Sequence, residues 1–296
     1  MKSAWKRFRY RTSRTWLRSP VVWLRHRGLD RDDVFLAEYP RSGSTWLRFM
    51  LLEIITGNSA GFLNVNRGIP EIGTHGQALD VLPGWGRLIK THEPYRRAYS
   101  HALYLVRDVR DVMFSMRAFA EEFGWADYFS NGRDLDGYIQ SFLVGETTQF
   151  GTWQDHVHSF LDSPIARSGE MLLVRYEELR QNTEHTLVRI LNFLGLDADR
   201  NVIRDAIANN SLERMRAKED NAKQSTTKLT KSTLLKGYKN GHFVGKGVVG
   251  GWRDRLTLSQ LAMFDHYAGD AMLRLGYPLS SSPVDAQPEV ALLRAE

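Results

Sequence analysis

The chain has 296 residues, of which 42% are hydrophobic and 25% are charged, a composition typical of a folded globular protein. It contains no cysteine, which excludes disulfide frameworks, thiolate zinc sites and cysteine nucleophiles, and no apolar run reaches the ~18 residues of a membrane span. The net charge of +6 is unevenly spread, because residues 1–29 hold nine Lys or Arg and no acid, which leaves 31 basic and 34 acidic residues elsewhere.

The first predicted unit is a basic N-terminal arm, residues 1–32, in which aromatic residues alternate with Arg and Lys: Trp5, Phe8, Trp16 and Trp23. This mixture suits the headgroup region of an anionic membrane, and equally a helix that packs on the domain with its charges in solvent. Its apolar run is too short for a secretory signal. We expect a cytoplasmic protein, either free or attached peripherally through residues 1–29 to the inner face of the membrane. We expect no nucleic-acid partner, because the body offers no second basic face.

A strand–turn–helix unit follows the arm. The apolar run 34–37 predicts a buried strand, Pro40 and Gly43 predict a tight turn, and residues 45–56 predict an apolar helix. In such a unit, backbone N–H groups and the positive end of the helix point at one spot, which makes a site for phosphate or sulfate. Side chains that add donors or a cation here are Arg41, Ser42, Ser44 and Thr45. The turn is not a Walker A loop, because GxxxxGK[ST] is absent.

From residue 33 onward, strands alternate with helices, which predicts an α/β domain with a central parallel sheet flanked by helices over residues 33–280. Residues 281–296 are predicted to be a disordered tail. Residues 58–86 are rich in Gly and Asn and predict a long ordered loop, a kind of segment that is commonly functional. Residues 218–251 carry seven lysines and predict either a solvated loop or a cationic lid over an anion.

Polar residues follow the predicted strands at four places: 40–45, 90–92, 107–115 and 175–177. Ligands of open α/β sheets bind at the carboxyl ends of the strands, so we expect these clusters to form one site. The helix after the third strand has an apolar stripe that includes Val109, Val112 and Met116. Ser115 lies off this stripe, so core packing does not explain it.

An ordered set of segments carries a family resemblance: YPRSGSTW at 39–46, IKTHEP at 89–94, LYLVRDVRDVMFS at 103–115, VRYEEL at 174–179 and GKGVVGGWRDRLT at 245–257. In that order they resemble the 5′-phosphosulfate loop, catalytic-histidine segment, 3′-phosphate motif, nucleotide-contacting tyrosine and C-terminal lid of the sulfotransferases that use 3′-phosphoadenosine 5′-phosphosulfate (PAPS). The likeness spans about residues 33–275.

The resemblance implies a P-loop-like three-layer sandwich and transfer of sulfonate from PAPS to a hydroxyl acceptor (small molecule, sugar or lipid) by in-line displacement, without a metal. It implies His92 as the base, with Lys90 and Arg41 as catalytic cations. These residue types suit the chemistry, because histidine titrates near neutrality and cations balance charge on the sulfonate and leaving phosphate. The implied cofactor contacts are Arg41, Ser42, Gly43, Ser44, Thr45, Trp46, Arg107, Ser115, Tyr176, Asn210, Leu212, Lys246 and Gly247.

The chain departs from the family pattern in the lid. Gly245 stands where the family has Arg, and Ala262 stands where its dimer motif has an acid. The missing arginine weakens the predicted grip on the 3′-phosphate, for which Lys246, Arg253 or another lid lysine could substitute. The degraded dimer motif leaves the oligomeric state open.

Alternatives remain at this point. Glu93 is a rival base, because adjacent residues of a strand point to opposite faces and only one of Glu93 and His92 should face the site. A P-loop kinase would share the phosphate cradle, although the Walker lysine and an Mg²⁺-binding Asp cluster are missing. A non-catalytic nucleotide-binding protein tethered to a membrane is the third hypothesis, and the presence of His92 and Lys90 counts against it. Nothing in the sequence identifies the acceptor.

Overall fold

A computed structural model describes residues 19–76, 78–122, 134–224 and 242–280. Within these residues, one sheet is formed by β1 (Val34–Glu38), β2 (Leu88–Thr91), β3 (His101–Val106) and β4 (Met171–Arg175). The strands lie in the order β2-β1-β3-β4, and each neighbouring pair is parallel. The predicted parallel sheet is confirmed.

The described helices are α1 (Ser19–His26), α2 (Ser44–Thr56), α3 (Val65–Gly68), α4 (Val109–Glu122), α5 (Leu135–Leu143), α6 (Trp153–Leu161), α7 (Pro164–Ser168), α8 (Tyr176–Gln181), α9 (Thr183–Phe193), α10 (Arg200–Asn209), α11 (Leu212–Gln224) and α12 (Leu258–Arg274). Helix α2, predicted over residues 45–56, begins one residue earlier, at Ser44. The Asp108 carboxylate caps helix α4, because it accepts the backbone N–H of Arg110 at 2.9 Å.

The central strand β1 separates two apolar layers, because its successive side chains point to opposite faces. Phe35 and Ala37 pack with α4, α5, α6 and α12, whereas Val34 and Leu36 pack with α2, α9 and α10. Every residue of β1 is buried, as expected for a parallel strand covered on both faces. The fold is therefore helix, sheet and helix in three layers.

Register places the carboxyl ends of the strands at one edge of the sheet. Ala37 pairs with Thr91, so the ends of β1 and β2 are level within a residue. Glu38 pairs with Leu105, which brings the end of β3 to the same height. The segments after the strands thus emerge side by side.

Helix α1 lies in the second half of the predicted arm and docks on the domain. His26 is fully buried, and the Arg87 guanidinium donates to the carbonyls of His26 at 2.6 Å and Gly28 at 3.1 Å while pairing with the buried carboxylate of Asp33. Its outer side exposes Val21, Trp23 and Leu24. In the described ranges no helix combines the length and apolarity needed to cross a bilayer. Residues 1–18 of the predicted arm and the predicted tail, 281–296, lie outside the described residues.

The long loop predicted at 58–86 is anchored to the sheet. It contains α3 and a 3₁₀ turn, Pro83–Trp85. The Lys90 N–H donates to the Pro70 carbonyl and the Ile72 N–H donates to the Lys90 carbonyl, both at 2.8 Å. These bonds fix Glu71 beside β2.

Candidate active site

The four polar clusters meet at the carboxyl edge of the sheet. The loop at 39–46 follows β1, His92 follows β2, Arg107 follows β3 and Tyr176 follows β4. The Arg107 guanidinium carbon lies 4.5 Å from the centroid of the Tyr176 ring, and Lys90 Nζ lies 2.5 Å from His92 Nε2. Residues far apart in sequence therefore share one site.

Backbone conformation and close packing both require glycine at position 43. Gly43 has φ 111°, and a Cβ built there would lie 2.6 Å from a carbon of the Tyr176 ring. Arg41 also adopts a positive φ, 75°, which costs a residue with a side chain about 1–2 kcal/mol. With these two positive φ angles, the loop leads directly into the first turn of α2. The first backbone N–H groups of that helix have no partners inside the helix.

Glu38, the last residue of β1, is a site residue that the sequence did not reveal. Its carboxylate is buried and accepts the Ser44 backbone N–H at 2.7 Å as well as the Ser44 hydroxyl. Burial raises the pKa of Glu38, against the opposing effects of the Lys90 charge and of these hydrogen bonds. The chain's own carboxylate thus engages donors that a bound anion would use.

Lys90 and His92 form the chemical centre of the site. Lys90 Nζ lies 2.5 Å from His92 Nε2 and 3.4 Å from a carboxylate oxygen of Glu71, a second residue that the sequence did not reveal. His92 Nδ1 lies 3.3 Å from the Glu38 carbonyl oxygen. Because a carbonyl can only accept, Nδ1 carries the proton and Nε2 presents its lone pair to the ammonium.

Electrostatics keep the histidine neutral. Burial and the Lys90 charge lower the pKa of His92 to about 3. Burial also lowers the pKa of Lys90, against the opposing charges of Glu71 and Glu38. Burial alone would raise the pKa of Glu71, but the positive charges of Lys90 and Arg48 contribute to lowering it to about 2. With Lys90 in place, the unprotonated His92 is therefore a weaker base than the near-neutral histidine expected from the sequence, and it becomes a stronger base when the ammonium moves away from Nε2.

The rival base, Glu93, is engaged elsewhere. Its carboxylate accepts from Arg96 Nε at 2.6 Å and from the Tyr99 hydroxyl at 3.2 Å. Tyr99 in turn stacks on Phe35 in the core, with ring centroids 4.1 Å apart. This geometry favours His92 as the base.

A second buried histidine, His156 on α6, stands behind the site. The Tyr104 hydroxyl lies 3.0 Å from its Nδ1, and the Tyr39 ring meets it edge-on at 5.6 Å between centroids. Burial lowers the pKa of His156 to about 3. This ring is part of the packing beneath the loop at 39–46.

Arg107 and Ser115, the predicted 3′-phosphate contacts, both contact Arg41. Arg107 donates to the Val248 carbonyl at 2.9 Å and approaches the Arg41 carbonyl at 3.5 Å. Its Nε is buried without a hydrogen-bond partner among the described residues. The Ser115 hydroxyl accepts a hydrogen bond from Arg41 Nε at 3.1 Å.

The predicted adenine contacts come together beside the start of α2. Trp46 Nε1 donates to the Asn210 carbonyl at 2.8 Å, and the Trp46 ring lies 6.3 Å from the Tyr176 ring. The guanidinium of Arg180, which was not predicted, lies 5.0 Å from the Trp46 ring. A cation above an indole makes a platform that suits a planar base.

The remaining predicted contacts differ in how far they reach the site. The Asn210 side chain is buried and accepts from Lys218 Nζ at 2.8 Å, so it is used inside the fold. Leu212 is half-buried at the first residue of α11, and Thr45 is half-buried in the first turn of α2. The Ser42 hydroxyl is fully buried and has no hydrogen-bond partner in the described part of the chain.

Residues 245–257, the predicted lid, lie against the site. A Cβ at Gly247 would lie 3.5 Å from the Tyr176 hydroxyl, and the Gly250 N–H donates to the Asp111 carboxylate at 2.8 Å. Lys246 is exposed. Half of the predicted lysine-rich segment, residues 225–241, lies outside the described residues. Across the described ranges, no group of three or more His, Cys, Asp or Glu side chains is arranged to hold a metal ion.

The family model and the relative that match this chain are both sulfotransferases. The model of the sulfotransferase domain family matches residues 31–276. Sulfotransferase 2B1 of Mus musculus is 26% identical over 270 residues, which cover 87% of this chain and 77% of that protein.

Solved structures share the fold. The crystal structure of mouse sulfotransferase SULT7A1 complexed with PAP has a TM-score of 0.61 and 21% identity, over 86% of this chain and 88% of that chain. Retinol dehydratase, in complex with androsterone and the inactive cofactor PAP, has a TM-score of 0.62 and 19% identity, over 82% of this chain and 81% of that chain. The three-layer P-loop-like fold expected from the motifs is confirmed.

Proposed function

Because this chain belongs to the sulfotransferase domain family, we propose that it transfers sulfonate from PAPS to a hydroxyl acceptor by in-line displacement. One observation carries the proposal: a neutral imidazole and an ammonium, His92 and Lys90, meet at 2.5 Å where the sheet ends beside the loop at 39–46. A base for the acceptor and a cation for the sulfonate are what such a displacement needs.

In the proposed step, the acceptor oxygen attacks sulfur from the side opposite the bridging oxygen. An O–S bond forms to the acceptor while the S–O bond to the 5′-phosphate breaks, and the electron pair leaves with 3′-phosphoadenosine 5′-phosphate (PAP). His92 takes the acceptor's proton at Nε2, the nitrogen that holds the lone pair. The acceptor hydroxyl would replace the Lys90 ammonium at Nε2 and leave that ammonium to stabilise the sulfonate and bridging oxygens.

The donor nucleotide would lie across the start of α2. Its phosphosulfate would take N–H and hydroxyl donors from the loop: Ser42, Gly43, Ser44 and Thr45. Its 3′-phosphate would bind Arg107 and Ser115, with the lid residues Lys246 and Gly247 nearby. Its nucleoside would lie beside Trp46, Tyr176, Asn210 and Leu212. The Ser42 hydroxyl and Arg107 Nε support this placement, because both are buried without a hydrogen-bond partner among the residues that the structure describes, whereas such groups usually have one.

The acceptor is proposed to be a hydroxyl-bearing small molecule, sugar or lipid. The Phe150 ring lies 5.5 Å from the His92 ring, which gives the reaction site an apolar flank. Retinol dehydratase, which shares the fold, was solved with androsterone. These observations favour an acceptor with an apolar body next to its hydroxyl.

The test is isothermal titration calorimetry with PAP, run beside ATP with Mg²⁺, on the wild-type protein and on Arg107→Ala. We expect PAP to bind and Arg107→Ala to weaken its binding by roughly ten- to one-hundred-fold, the value of one or two charge-assisted hydrogen bonds to phosphate. Preference for ATP would instead support the kinase alternative. Equal PAP binding by the two proteins would refute the assignment of the 3′-phosphate site.

We further propose that residues 1–29 attach the protein peripherally to an anionic membrane surface at the cytoplasmic face. Helix α1 leaves Trp23 65% exposed and Leu24 76% exposed beside exposed Arg25 and Arg27. Apolar anchors next to arginines are the combination that binds the headgroup region of anionic bilayers. Such attachment would bring a lipid or membrane-partitioning acceptor to the enzyme.

Vesicle sedimentation tests this attachment. We expect the full chain to bind vesicles that contain phosphatidylglycerol more strongly than neutral phosphatidylcholine vesicles, and Leu24→Ser to weaken that binding. Leu258→Ser is the matched control, because Leu258 is 79% exposed on α12. Equal binding of both vesicle types, or equal effects of the two substitutions, would contradict the proposal.

A further inference from the structure

Helix α1 lies before residue 31, where the match to the family model begins, yet it docks on the loop that borders the active site. Val22 and His26 stand four residues apart and so lie on the same face of the helix. Val22 packs against the apolar core and His26 is fully buried, whereas Val21 and Leu24 are exposed. The face that carries His26 is therefore the one that α1 turns to the domain.

His26 and Arg25 hold one turn of the long loop before β2. The Gly73 N–H donates to His26 Nε2 at 3.1 Å, and the Arg25 guanidinium donates to the Thr74 carbonyl. Because a backbone N–H can only donate, His26 Nε2 is the acceptor and carries no proton. The end of α1 is fixed from the sheet as well, since Arg87, just before β2, donates to the His26 carbonyl at 2.6 Å.

The same turn, residues 71–75, brings Glu71 to Lys90. The N–H groups of Thr74 and His75 both donate to the Glu71 carbonyl at 3.1 Å, and the Glu71 N–H donates to His75 Nδ1 at 3.0 Å. These bonds make the turn a compact unit, so a contact made anywhere on it also restrains Glu71. The Glu71 carboxylate lies 3.4 Å from Lys90 Nζ. Helix α1 is thereby linked to Lys90 through one turn of the loop.

Hydrogen bonds to the strand hold the backbone on either side of Glu71, because Pro70 and Ile72 both pair with Lys90. They do not fix the Glu71 side chain, which has several staggered rotamers. The Thr74 hydroxyl lies 3.5 Å from Oε1 of Glu71, beside the oxygen that meets Lys90. Thr74 is also the residue whose carbonyl α1 contacts. Docking of α1 therefore bears on the part of the turn that orients the carboxylate.

The charge of Glu71 matters because Lys90 is buried. Burial lowers the pKa of Lys90, the charges of Glu71 and Glu38 raise it, and the charge of Arg48 lowers it further. His92 also faces the ammonium, at 2.5 Å. Of the two carboxylates, Glu71 has the stronger effect, and it lies 3.4 Å from Nζ. Displacement of this carboxylate would let the ammonium lose its proton at a lower pH.

We propose that α1 is a working part of the active site, in which His26 is a positioning residue that keeps the Glu71 carboxylate on the Lys90 ammonium through the turn at 71–75. The inference rests on the proposed function for the task of Lys90, which is to stabilise the sulfonate as a cation. Helix α1 then has two roles. Its buried face holds the turn, and its exposed face contacts the membrane.

The test measures the pKa of Lys90 directly and uses neither nucleotide nor acceptor. The NMR signal of Lys90 Cε, identified by its absence from Lys90→Arg, is followed over pH in isotope-labelled protein. The variants are His26→Leu, His26→Gln, Glu71→Gln and the control Val21→Ser, which alters the exposed face of the same helix. Leu fills the space of the imidazole and removes the acceptor, whereas Gln places a carbonyl oxygen near the position of Nε2.

We expect Glu71→Gln to increase the acid dissociation constant of Lys90 about ten- to one-thousand-fold, the usual effect of losing one close opposite charge. His26→Leu should increase it at least about threefold, while His26→Gln and Val21→Ser keep the wild-type value. In a Glu71→Gln background, His26→Leu should have no further effect, because it acts through that carboxylate. An unchanged constant in His26→Leu, or an equal increase with and without Glu71, would overturn the inference.

Arg25→Leu is the second variant, at an exposed position where folding is not at risk. Loss of its positive charge alone would raise the pKa of Lys90, so a lowered pKa can come only from release of the turn. A raised or unchanged pKa in Arg25→Leu would count against the inference even if His26→Leu does not fold. If Lys90 responds as expected but PAP does not bind, the proposed function fails and the positioning role of His26 stands.

Discussion

The approach of Gly43 to Tyr176 makes a sharp prediction about the loop at 39–46. Gly43→Ala introduces a methyl group at φ 111°, 2.6 Å from one ring carbon and 2.7 Å from another. Gly57→Ala is the matched control, because Gly57 also has a positive φ, 66°, at the other end of α2, but a methyl group added there would have no atom within 4 Å. Both substitutions therefore place a side chain at a positive φ, with the larger backbone penalty at φ 111°, and only Gly43→Ala adds a steric clash.

The magnitudes follow from these two penalties. Gly57→Ala should lose about 1–2 kcal/mol of unfolding free energy to the left-handed backbone, and Gly43→Ala should lose at least as much. Gly43→Ala should lose about 1–3 kcal/mol more, the typical cost of forcing an extra methyl into a packed region. Displacing the Tyr176 ring would also remove the surface on which Arg107 rests, so PAP binding should weaken at least about tenfold in Gly43→Ala and stay unchanged in Gly57→Ala.

Urea unfolding and calorimetry measure the two effects. The substitution Tyr176→Leu provides an internal check through a double-mutant cycle. Once the ring is removed, Gly43→Ala should no longer lose the additional unfolding free energy, and the difference between the two backgrounds is the coupling energy. If the two alanine variants lose the same stability and bind PAP alike, the reasoning from close approach is refuted.

Three further predictions concern the titratable side chains. His92→Ala should lower kcat at least about one-hundredfold while PAP binding persists, because the base acts on the acceptor; a turnover assay beside calorimetry checks this, and an unchanged kcat would contradict it. Glu71→Gln removes a negative charge that raises the pKa of Lys90, so the alkaline limb of the pH–kcat profile should move to lower pH. If that limb does not move, the charge of Glu71 does not act on Lys90 during turnover. The pKa of His156 is about 3 in the folded protein and about 6.5 in the unfolded chain. Below pH 6.5 the unfolded chain therefore binds a proton that the folded protein does not, and the unfolding free energy falls as the pH is lowered towards 3. His156→Asn should therefore flatten the rise of unfolding free energy between pH 4 and 6 by about 1.4 kcal/mol per pH unit, whereas His185→Asn, at an exposed position, should not.

Sequence patterns predicted the parts of the site that depend on local order. Alternating strands and helices predicted the parallel sheet, and the sheet brings the strand ends to one edge. The position of Ser115 off the apolar stripe of α4 marked it as a residue with another role, and it accepts a hydrogen bond from Arg41. These inferences hold because periodicity and parallel pairing fix which way a side chain faces.

The site residues that the sequence did not reveal are positioned by the geometry of loops. Glu38 stands next to an apolar run and turns inward because the loop after it wraps back, so that Ser44 can bind its carboxylate. Glu71 reaches Lys90 because a non-repetitive loop pairs with β2. The direction of Arg41 follows from its left-handed backbone. No periodic pattern encodes any of these, since each arises from loop geometry rather than from a regular element.

The buried carboxylate of Glu38 has a consequence for how the donor enters. Bringing an anion to the Ser44 N–H that Glu38 now holds adds a like charge and removes a hydrogen bond, and both changes favour the protonated acid. Burial already raises the pKa of this group. Nucleotide binding should therefore take up a proton: its measured heat should vary with the ionisation enthalpy of the buffer, and its affinity should fall as the pH rises. The loop then admits its anion together with a proton, so the charge that crosses into the site is smaller than the charge of the nucleotide alone.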